Sequence, residues 1–202
     1  MLTASPSKPT RSAVPTFEPI TLDELKKAVE LPQSYTYHDG HLNTLIQVAR
    51  EMVEHDTGIV TATGTYTWKL DAFPAGSVIE FPVRPVSSIT SIVTVQSDGS
   101  SSTWSSAEYS LDANRTQPSV VLGYNYSWPT VRGHLGDITI TFVAGYASRE
   151  AIPRMIRQAV ILAAAREFAD REGQSEAIAT QVTLAARSYE MLITRLCRST
   201  YP

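Results

Sequence analysis

The densest group of side chains that could bind a metal is the tetrapeptide His38-Asp39-Gly40-His41, followed one predicted helix later by His55-Asp56. Imidazole and carboxylate groups are common zinc ligands, but a zinc site gathers three or four of them in fixed geometry with supporting hydrogen bonds. Asp39 stands where the N-cap of a helix belongs, and Gly40 suits a turn. We therefore interpret the tetrapeptide as a helix start, and we expect neither a metal nor a cofactor.

Nucleophiles and carboxylates do not form a recognisable catalytic set. The sequence has no Gly-x-Ser-x-Gly nucleophile turn, no glycine-rich phosphate loop and no His-Glu-x-x-His motif. Acidic residues of the C-terminal region, such as Glu150, Glu167 and Asp170, stand close to Arg, which is typical of ion pairs on a helix surface. We expect that the protein is not an enzyme.

Aromatic and basic residues allow binding functions. An aromatic platform could stack sugars or single-stranded nucleic acid, although aromatics in alternating strands are more often core or interface residues. Residues 151–202 carry seven Arg against five acids, and these Arg could face DNA phosphates or only water and a neighbouring subunit. The aromatic residues considered for a platform are Trp68, Trp104, Tyr124, Tyr126 and Trp128.

Helices are predicted before and after the central part of the sequence. Thr21 and Glu24 form a capping box that starts a short helix, and apolar residues at helical spacing predict a second helix over 42–56, ended by Gly58. Pro153 is placed in the first turn of a third helix over 153–171, whose run 159–165 is apolar on nearly every face. Ser175 is the predicted cap of a last helix.

Between residues 60 and 145 the apolar pattern has a period of two, which indicates strands. Six runs fit, and turn signals such as Ser97-Asp98-Gly99 separate them. The runs are 66–72, 77–81, 89–95, 107–113, 118–124 and 137–145. The fold class is therefore α+β: a helical bundle of two N-terminal and two C-terminal helices with an inserted antiparallel β unit of five or six strands.

Composition fits a globular protein of one domain with appendages. The chain has 202 residues, is 43% hydrophobic and carries a net charge of −3, so it lacks the basic surface of a dedicated nucleic-acid binder. The one cysteine, Cys197, excludes a disulfide within the chain. No apolar run is long enough to span a bilayer, and residues 1–20 lack the apolar segment of a signal peptide, so we expect no membrane association.

The predicted organisation has four parts. Residues 1–18, rich in proline and polar side chains, form a flexible N-terminal arm that we expect a neighbouring subunit to order. The helical core comprises 19–59 and 146–197, the inserted β unit 60–145, and a short tail 198–202.

Three strings in this order resemble the tailed-phage head–tail connector family, also called adaptor or head-completion proteins, which includes prophage and gene-transfer-agent relatives. The first is ITLDELKKAV followed by HLNTLIQVAREMVEHDTG. The second is TYTWKLDAFPAGSVIEFPVRPVSSITSIVTVQSDGS, and the third is ITFVAGYASREAIPRMIRQAVILAAAREFADRE. The resemblance runs from about Pro19 to Leu196, and it does not cover the N-terminal arm or the RSTYP tail.

The resemblance implies a structural virion protein. Such subunits form a homo-oligomeric ring of twelve copies below the portal protein, extend the DNA channel, and bind the next neck or tail protein. DNA would pass through the lumen without sequence-specific binding. The protein would lie at the head–tail junction, or neck, of a virion assembled in the host cytoplasm.

Roles follow for particular residues. The apolar helix is the predicted subunit interface, with Ile156, Val160, Ile161 and Leu162 as its contact residues. Gly145, Tyr146 and Pro153 form the predicted joint between the last strand and this helix. Arg195, Arg198 and Tyr201 are the predicted contacts to the portal or to a neighbouring subunit, since chain ends often order on a partner. Deleting 196–202 should then leave a folded subunit that does not join the portal.

The alternative is a stand-alone binding module. In that interpretation the β unit presents the aromatic platform to a ligand, and the helices only support it. The oligomeric state in solution distinguishes the connector from the module, because a connector forms a ring and a module stays monomeric.

Overall fold

A computed structural model describes residues 7–172 and 187–197, with the side chains of 170–172 left undescribed. The helices are α1 (Leu22–Ala28), α2 (Asp39–Thr57), α3 (Arg154–Glu172) and a helical segment α4 at 187–197. The strands are β1 (Thr10–Arg11), β2 (Gly64–Leu70), β3 (Val78–Glu80), β4 (Val86–Val95), β5 (Ser101–Thr103), β6 (Tyr109–Asp112), β7 (Ser119–Leu122) and β8 (Ile138–Ala144). The predicted α+β class is confirmed.

The chain divides into two compact units. Among the described residues, the β unit contains 7–15 and 63–145, and the helical unit contains 16–62, 146–172 and 187–197. The polypeptide therefore crosses between the units at three places, after Pro15, Ala62 and Gly145.

The β unit has two antiparallel sheets. One has the strand order β1-β2-β8-β4-β5, and the other has the order β3-β7-β6. Strand β8 is central, and its register with β2 pairs Tyr66 with Phe142 and Trp68 with Ile140. These residues are buried, and the ring of Phe81 lies 4.6 Å from that of Phe142 and 5.9 Å from that of Trp68. All six predicted runs contain a strand, because alternating apolar side chains cover one face of each sheet.

Two short strands were not predicted. Strand β5 lies in the Ser-rich stretch after the Asp98-Gly99 turn, and β1 lies in the N-terminal arm. Residues of this arm pair with β2 of their own chain through the register Thr10↔Thr67 and Arg11↔Tyr66. Residues 7–12 are thus ordered on the β2 edge of their own chain, and their pairing with a neighbouring subunit stays a prediction.

The helical unit packs α1, α2 and α3 against one another. Its core combines α2 residues such as Leu42 and Ile46 with α3 residues such as Ile156 and Val160, and α4 adds Tyr189 and Leu196. Gly58 ends α2 with φ of 67°, the left-handed conformation expected of a C-terminal glycine. The predicted cap Ser175 lies outside the described residues.

The start of α2 differs from its prediction. His38, not Asp39, occupies the N-cap position, and Asp39 is the first residue of the helix. The carboxylate of Asp39 instead pairs with the buried ammonium of Lys26, the two atoms being 2.6 Å apart. A buried lysine needs a carboxylate partner, and this need takes precedence over capping.

The capping box at the start of α1 is confirmed. Glu24 N–H donates to Thr21 Oγ1 at 3.1 Å, and Thr21 N–H donates to Glu24 Oε2 at 2.8 Å. Glu24 also pairs with Arg157 of α3, so the cap joins two helices. Burial acts to raise the pKa of Glu24, but the Thr21 hydrogen bond and Arg157 together hold it below the usual value.

We expect Glu24→Gln to destabilise the protein in a pH-dependent way. A lowered folded pKa means that the ionised carboxylate stabilises the fold above the unfolded pKa of about 4.3, and that this contribution is lost as the pH falls through the folded pKa. Urea unfolding at pH 7 should show a loss of at most about 1 kcal/mol, because the side chain is 35% exposed and screened by water. The loss should shrink steadily below pH about 4.3. Exposed Glu30→Gln is the control, and a pH-independent loss in Glu24→Gln would contradict the assignment.

Candidate assembly surfaces

The predicted interface helix is already largely covered by its own chain. Between residues 154 and 169 of α3, the exposed side chains are Arg154 and Gln158. Ile156 and Val160 are buried in the core of the helical unit, so a neighbouring subunit is not needed to cover them. Ile161 and Leu162 are only partly buried. Of the four residues predicted for the interface, Ile161 and Leu162 therefore keep part of their surface uncovered by their own chain.

The predicted joint lies at the third crossing between the units. Gly145 ends the β unit with φ of 104°, and its N–H donates to the Pro85 carbonyl at 2.9 Å. Tyr146 opens the helical unit, where it forms a parallel bridge with Ala62 and packs on the apolar core. Pro153 directly precedes α3, and its carbonyl accepts the N–H of Arg157 at 3.2 Å. Pro153 thus occupies the cap position rather than the first turn.

A buried guanidinium, which the sequence did not single out, lies at the centre of the helical unit. Arg50 of α2 donates through Nε to Glu18 Oε2 at 2.9 Å and through Nη1 to Glu54 Oε2 at 3.4 Å. Burial opposes the charge of Arg50, but Glu18 and Glu54 more than offset this and raise its pKa. The i,i+4 spacing of Arg50 and Glu54 was a sequence signal for one pair, whereas Glu18 is too distant in sequence to be recognised.

The same carboxylates fix the chain around the crossings. Glu54 Oε1 accepts the backbone N–H of Thr61 at 2.8 Å and its hydroxyl at 2.7 Å. The carbonyl of Glu18 accepts Arg149 Nε at 2.9 Å. The segments before α1, after α2 and after β8 are therefore all bonded through Glu18 or Glu54.

The C-terminal helical segment is attached to the end of α2. Tyr189 is buried, and its hydroxyl donates to Asp56 Oδ2 at 2.8 Å. Burial and the Asp56 carboxylate raise the pKa of Tyr189, so the hydroxyl stays protonated. Of the predicted portal contacts, Arg195 is exposed on this segment, while Arg198 and Tyr201 lie outside the described residues.

The five aromatic residues of the proposed platform do not form one surface. Trp68 is buried beside Phe81, whereas Trp104 and Trp128 form a separate cluster with Phe73 and Tyr109. In that cluster Trp104 Nε1 donates to Glu108 at 2.7 Å, and Trp128 Nε1 donates to the Gly76 carbonyl at 2.6 Å. The indoles thus fix loops of the β unit. The buried Trp68 cannot take part in an exposed platform, whereas Tyr124 and Tyr126 are exposed after β7, so a platform on the other aromatics stays a prediction.

An exposed loop connects β7 to β8. Buried Asp137 accepts the His134 N–H at 2.7 Å and Arg132 Nη2 at 2.8 Å, and these bonds lower its pKa despite the burial. Gly136 N–H donates to Asp71 Oδ1 at 2.7 Å. Between these fixed points, Leu135 is 80% exposed. The loop thus holds one apolar side chain in water between two hydrogen-bonded backbone positions.

The histidine-rich start of α2 does not form a metal site with other side chains of the described residues. Across residues 7–172 and 187–197, no three His, Cys, Asp or Glu side chains gather as a metal site would require. Tyr37 and Phe168 instead pack their rings against His38. In the same part of the chain, no helix has the length and apolar character needed to cross a membrane.

Solved structures share this architecture. The chain aligns with a chain from the virion of a native gene transfer agent (GTA) particle at a TM-score of 0.74 and 20% identity, covering 94% of this chain and 95% of that one. The chain has the fold of a GTA particle protein. A second match is a chain from the neck of a native GTA particle computed with C12 symmetry, at a TM-score of 0.72 and 19% identity over 94% of each chain.

A third match comes from the neck of an empty GTA particle computed with C6 symmetry. Its TM-score is 0.69 and its identity 21%, and the alignment covers 80% of this chain and 84% of that one. No protein-family model and no curated protein matches the sequence. The shared feature is thus the three-dimensional arrangement of the GTA neck fold, at low sequence identity.

Arg50→Met should destabilise the helical unit strongly. The substitution leaves the carboxylates of Glu18 and Glu54 without their cation, and breaking such a buried pair costs about 3 kcal/mol. Urea unfolding followed by circular dichroism at 222 nm measures the loss. Glu51→Gln is the matched control, since Glu51 contacts the same guanidinium but is 70% exposed, so its loss should stay below about 0.5 kcal/mol. Equal losses for both variants would show that the cluster does not stabilise the fold.

Proposed function

We propose that this protein is a structural component of a virion neck, a head–tail connector that forms a ring below the portal protein. The ring extends the DNA channel and binds the next neck or tail protein. The observation that carries the proposal is the fold shared over 94% of the chain with a chain from the neck of a native GTA particle computed with C12 symmetry. The three sequence strings that resemble the connector family support it independently.

Charge is consistent with a channel that lets DNA pass. A protein that grips DNA places many Lys and Arg along the phosphates, and each contact strengthens binding. This chain has 17 basic and 20 acidic residues. In addition, Arg50, Arg132 and Arg157 are paired with carboxylates of the same chain. We propose that the ring conducts DNA without sequence-specific binding, at the head–tail junction of a particle assembled in the host cytoplasm.

The C-terminal end is the proposed contact to the portal. Exposed Arg195 lies on α4, directly before Arg198 and Tyr201 in sequence. Leu196 is buried in the helical core, so a deletion that starts at residue 196 would also remove a core side chain. The tail is therefore tested by deleting residues 198–202 only.

The first prediction concerns the size of the particle. The purified chain, mixed with its portal protein, should form a closed ring of about 265 kDa, twelve times the chain mass of 22.1 kDa. Native mass spectrometry of the chain alone and with the portal measures this directly. A monomer at every concentration, with and without the portal, would contradict the connector function and favour a stand-alone module.

The second prediction concerns the tail. Deletion of 198–202 should leave the thermal unfolding midpoint unchanged and abolish co-sedimentation with the portal, because the deletion removes contact residues without touching the described core. Replacing 198–202 by a Gly-Ser sequence of equal length separates the effect of length from that of side chains. Unchanged co-sedimentation of both variants would exclude the tail as the portal contact.

A further inference from the structure

The edge of β2 is a strand-binding site. Strand β2 has seven residues, with β8 on one side and only the two-residue β1 on the other. Backbone pairing extends beyond β1, since Ser12 N–H donates to the Thr65 carbonyl at 2.9 Å and Ser7 N–H to the Lys69 carbonyl at 3.3 Å. An uncovered sheet edge is a template for a further strand. Residues 7–12, the part of the N-terminal arm that is called simply the arm below, cover this edge.

One end of the site is specified by a buried indole. Trp68 is buried, and its Nε1 donates to the Ser7 carbonyl at 2.7 Å. A buried indole N–H needs an acceptor, so an empty edge would leave this donor unpaired. Ser7 Oγ also accepts the Lys69 N–H at 3.2 Å and donates to the Lys69 carbonyl at 2.8 Å.

The other end is specified by the space beside Gly64. A Cβ at this position would stand 2.7 Å from Arg11 Nε, so the glycine leaves room for the guanidinium. Arg11 Nη2 donates to the Thr63 carbonyl at 2.9 Å, and the guanidinium lies 5.7 Å from the centre of the Tyr66 ring. The β2 edge therefore matches the arm's own residues at both ends.

The arm itself is held weakly. None of residues 7–15 is buried, so the arm contributes little apolar burial, and segments of this kind open at low free energy. The linker that follows is exposed, with Val14 at 86%. This linker leads directly into the helical unit, because the division between the units falls after Pro15. The site is specific, but its present occupant can leave it.

We propose that in the assembled ring the arm of one copy pairs with the β2 edge of the adjacent copy. This inference rests on the proposed ring. An exchanged arm makes the same hydrogen bonds as an intramolecular one, and in a closed ring every edge receives an arm, so no Trp68 is left unpaired. The stretch from Ser12 to Phe17 extends to at most about 18 Å, which limits the acceptor to an adjacent copy. Each arm then stays covalently attached to its own copy while it pairs with the β2 edge of the next copy around the ring.

Cysteine crosslinking distinguishes the two pairings. In a Cys197→Ser background, Thr10→Cys and Thr67→Cys place thiols at partner positions of β1 and β2. A short bifunctional thiol reagent is added to the isolated chain and to the assembled ring, and denaturing gels without reductant are compared. We expect a single monomer band from the isolated chain and a ladder of multimers from the ring. Only monomer bands from an intact ring would overturn the exchange and leave the proposed function standing.

The matched control uses the other side of the same strand. Thr67→Cys with Thr141→Cys pairs β2 with β8, and this pair should give monomer bands in both samples. A second experiment avoids the double variant: chains with Thr10→Cys alone and chains with Thr67→Cys alone are mixed before assembly. Dimers between them form only by exchange, and their absence from an assembled ring counts against it. If mass measurement finds no ring, the proposed function and this inference fail together.

Discussion

The buried guanidinium of Arg50 organises the segments of the helical unit that lead into and out of the β unit. Arg50 lacks contact with bulk water, so it must keep carboxylate partners, and it takes them from Glu18 before the helices and Glu54 near the end of α2. Glu54 in turn holds Thr61, and Glu18 holds Arg149. Three separate segments of polypeptide connect the helical unit to the β unit. Each of them is bonded to Glu18 or Glu54: Thr61 to the Glu54 carboxylate and Arg149 to the Glu18 backbone carbonyl.

Much of the fold was readable from local patterns. The Thr21–Glu24 box, the left-handed Gly58 and the alternation of Tyr66 with Trp68 are signals that act within a few residues, and the structure contains each of them. Strand β1 was missed because Thr10 and Arg11 pair through their backbones, and backbone hydrogen bonds leave no apolar period in a sequence. Asp39 was assigned as a cap because its partner Lys26 belongs to another helix. Each missed feature depends on a partner that is distant in sequence.

The candidate surfaces were harder to read than the fold. The apolar residues of α3 look alike in sequence. In the structure Val160 is buried by its own chain, whereas Ile161 is only partly buried, because the helices packed against α3 cover one side chain more than the other. The same limit applies to the aromatics, since Trp68 packs beside Phe81 and Trp128 beside Phe73, neighbours that the sequence does not indicate. A likeness at 19–21% identity that spans most of the chain fits this view. The fold is shared while most aligned residues differ.

The loop fixed by Asp137 has a practical consequence. On either side of Leu135, the backbone N–H groups of His134 and Gly136 donate to the carboxylates of Asp137 and Asp71, and every non-proline residue possesses such a group. The exposed side chain of Leu135 between them is not part of this support. A substitution of Leu135 should therefore leave this backbone support in place. Leu135 is also where a short epitope or a heavy-atom label can be inserted to mark the β unit in an electron-microscopy map.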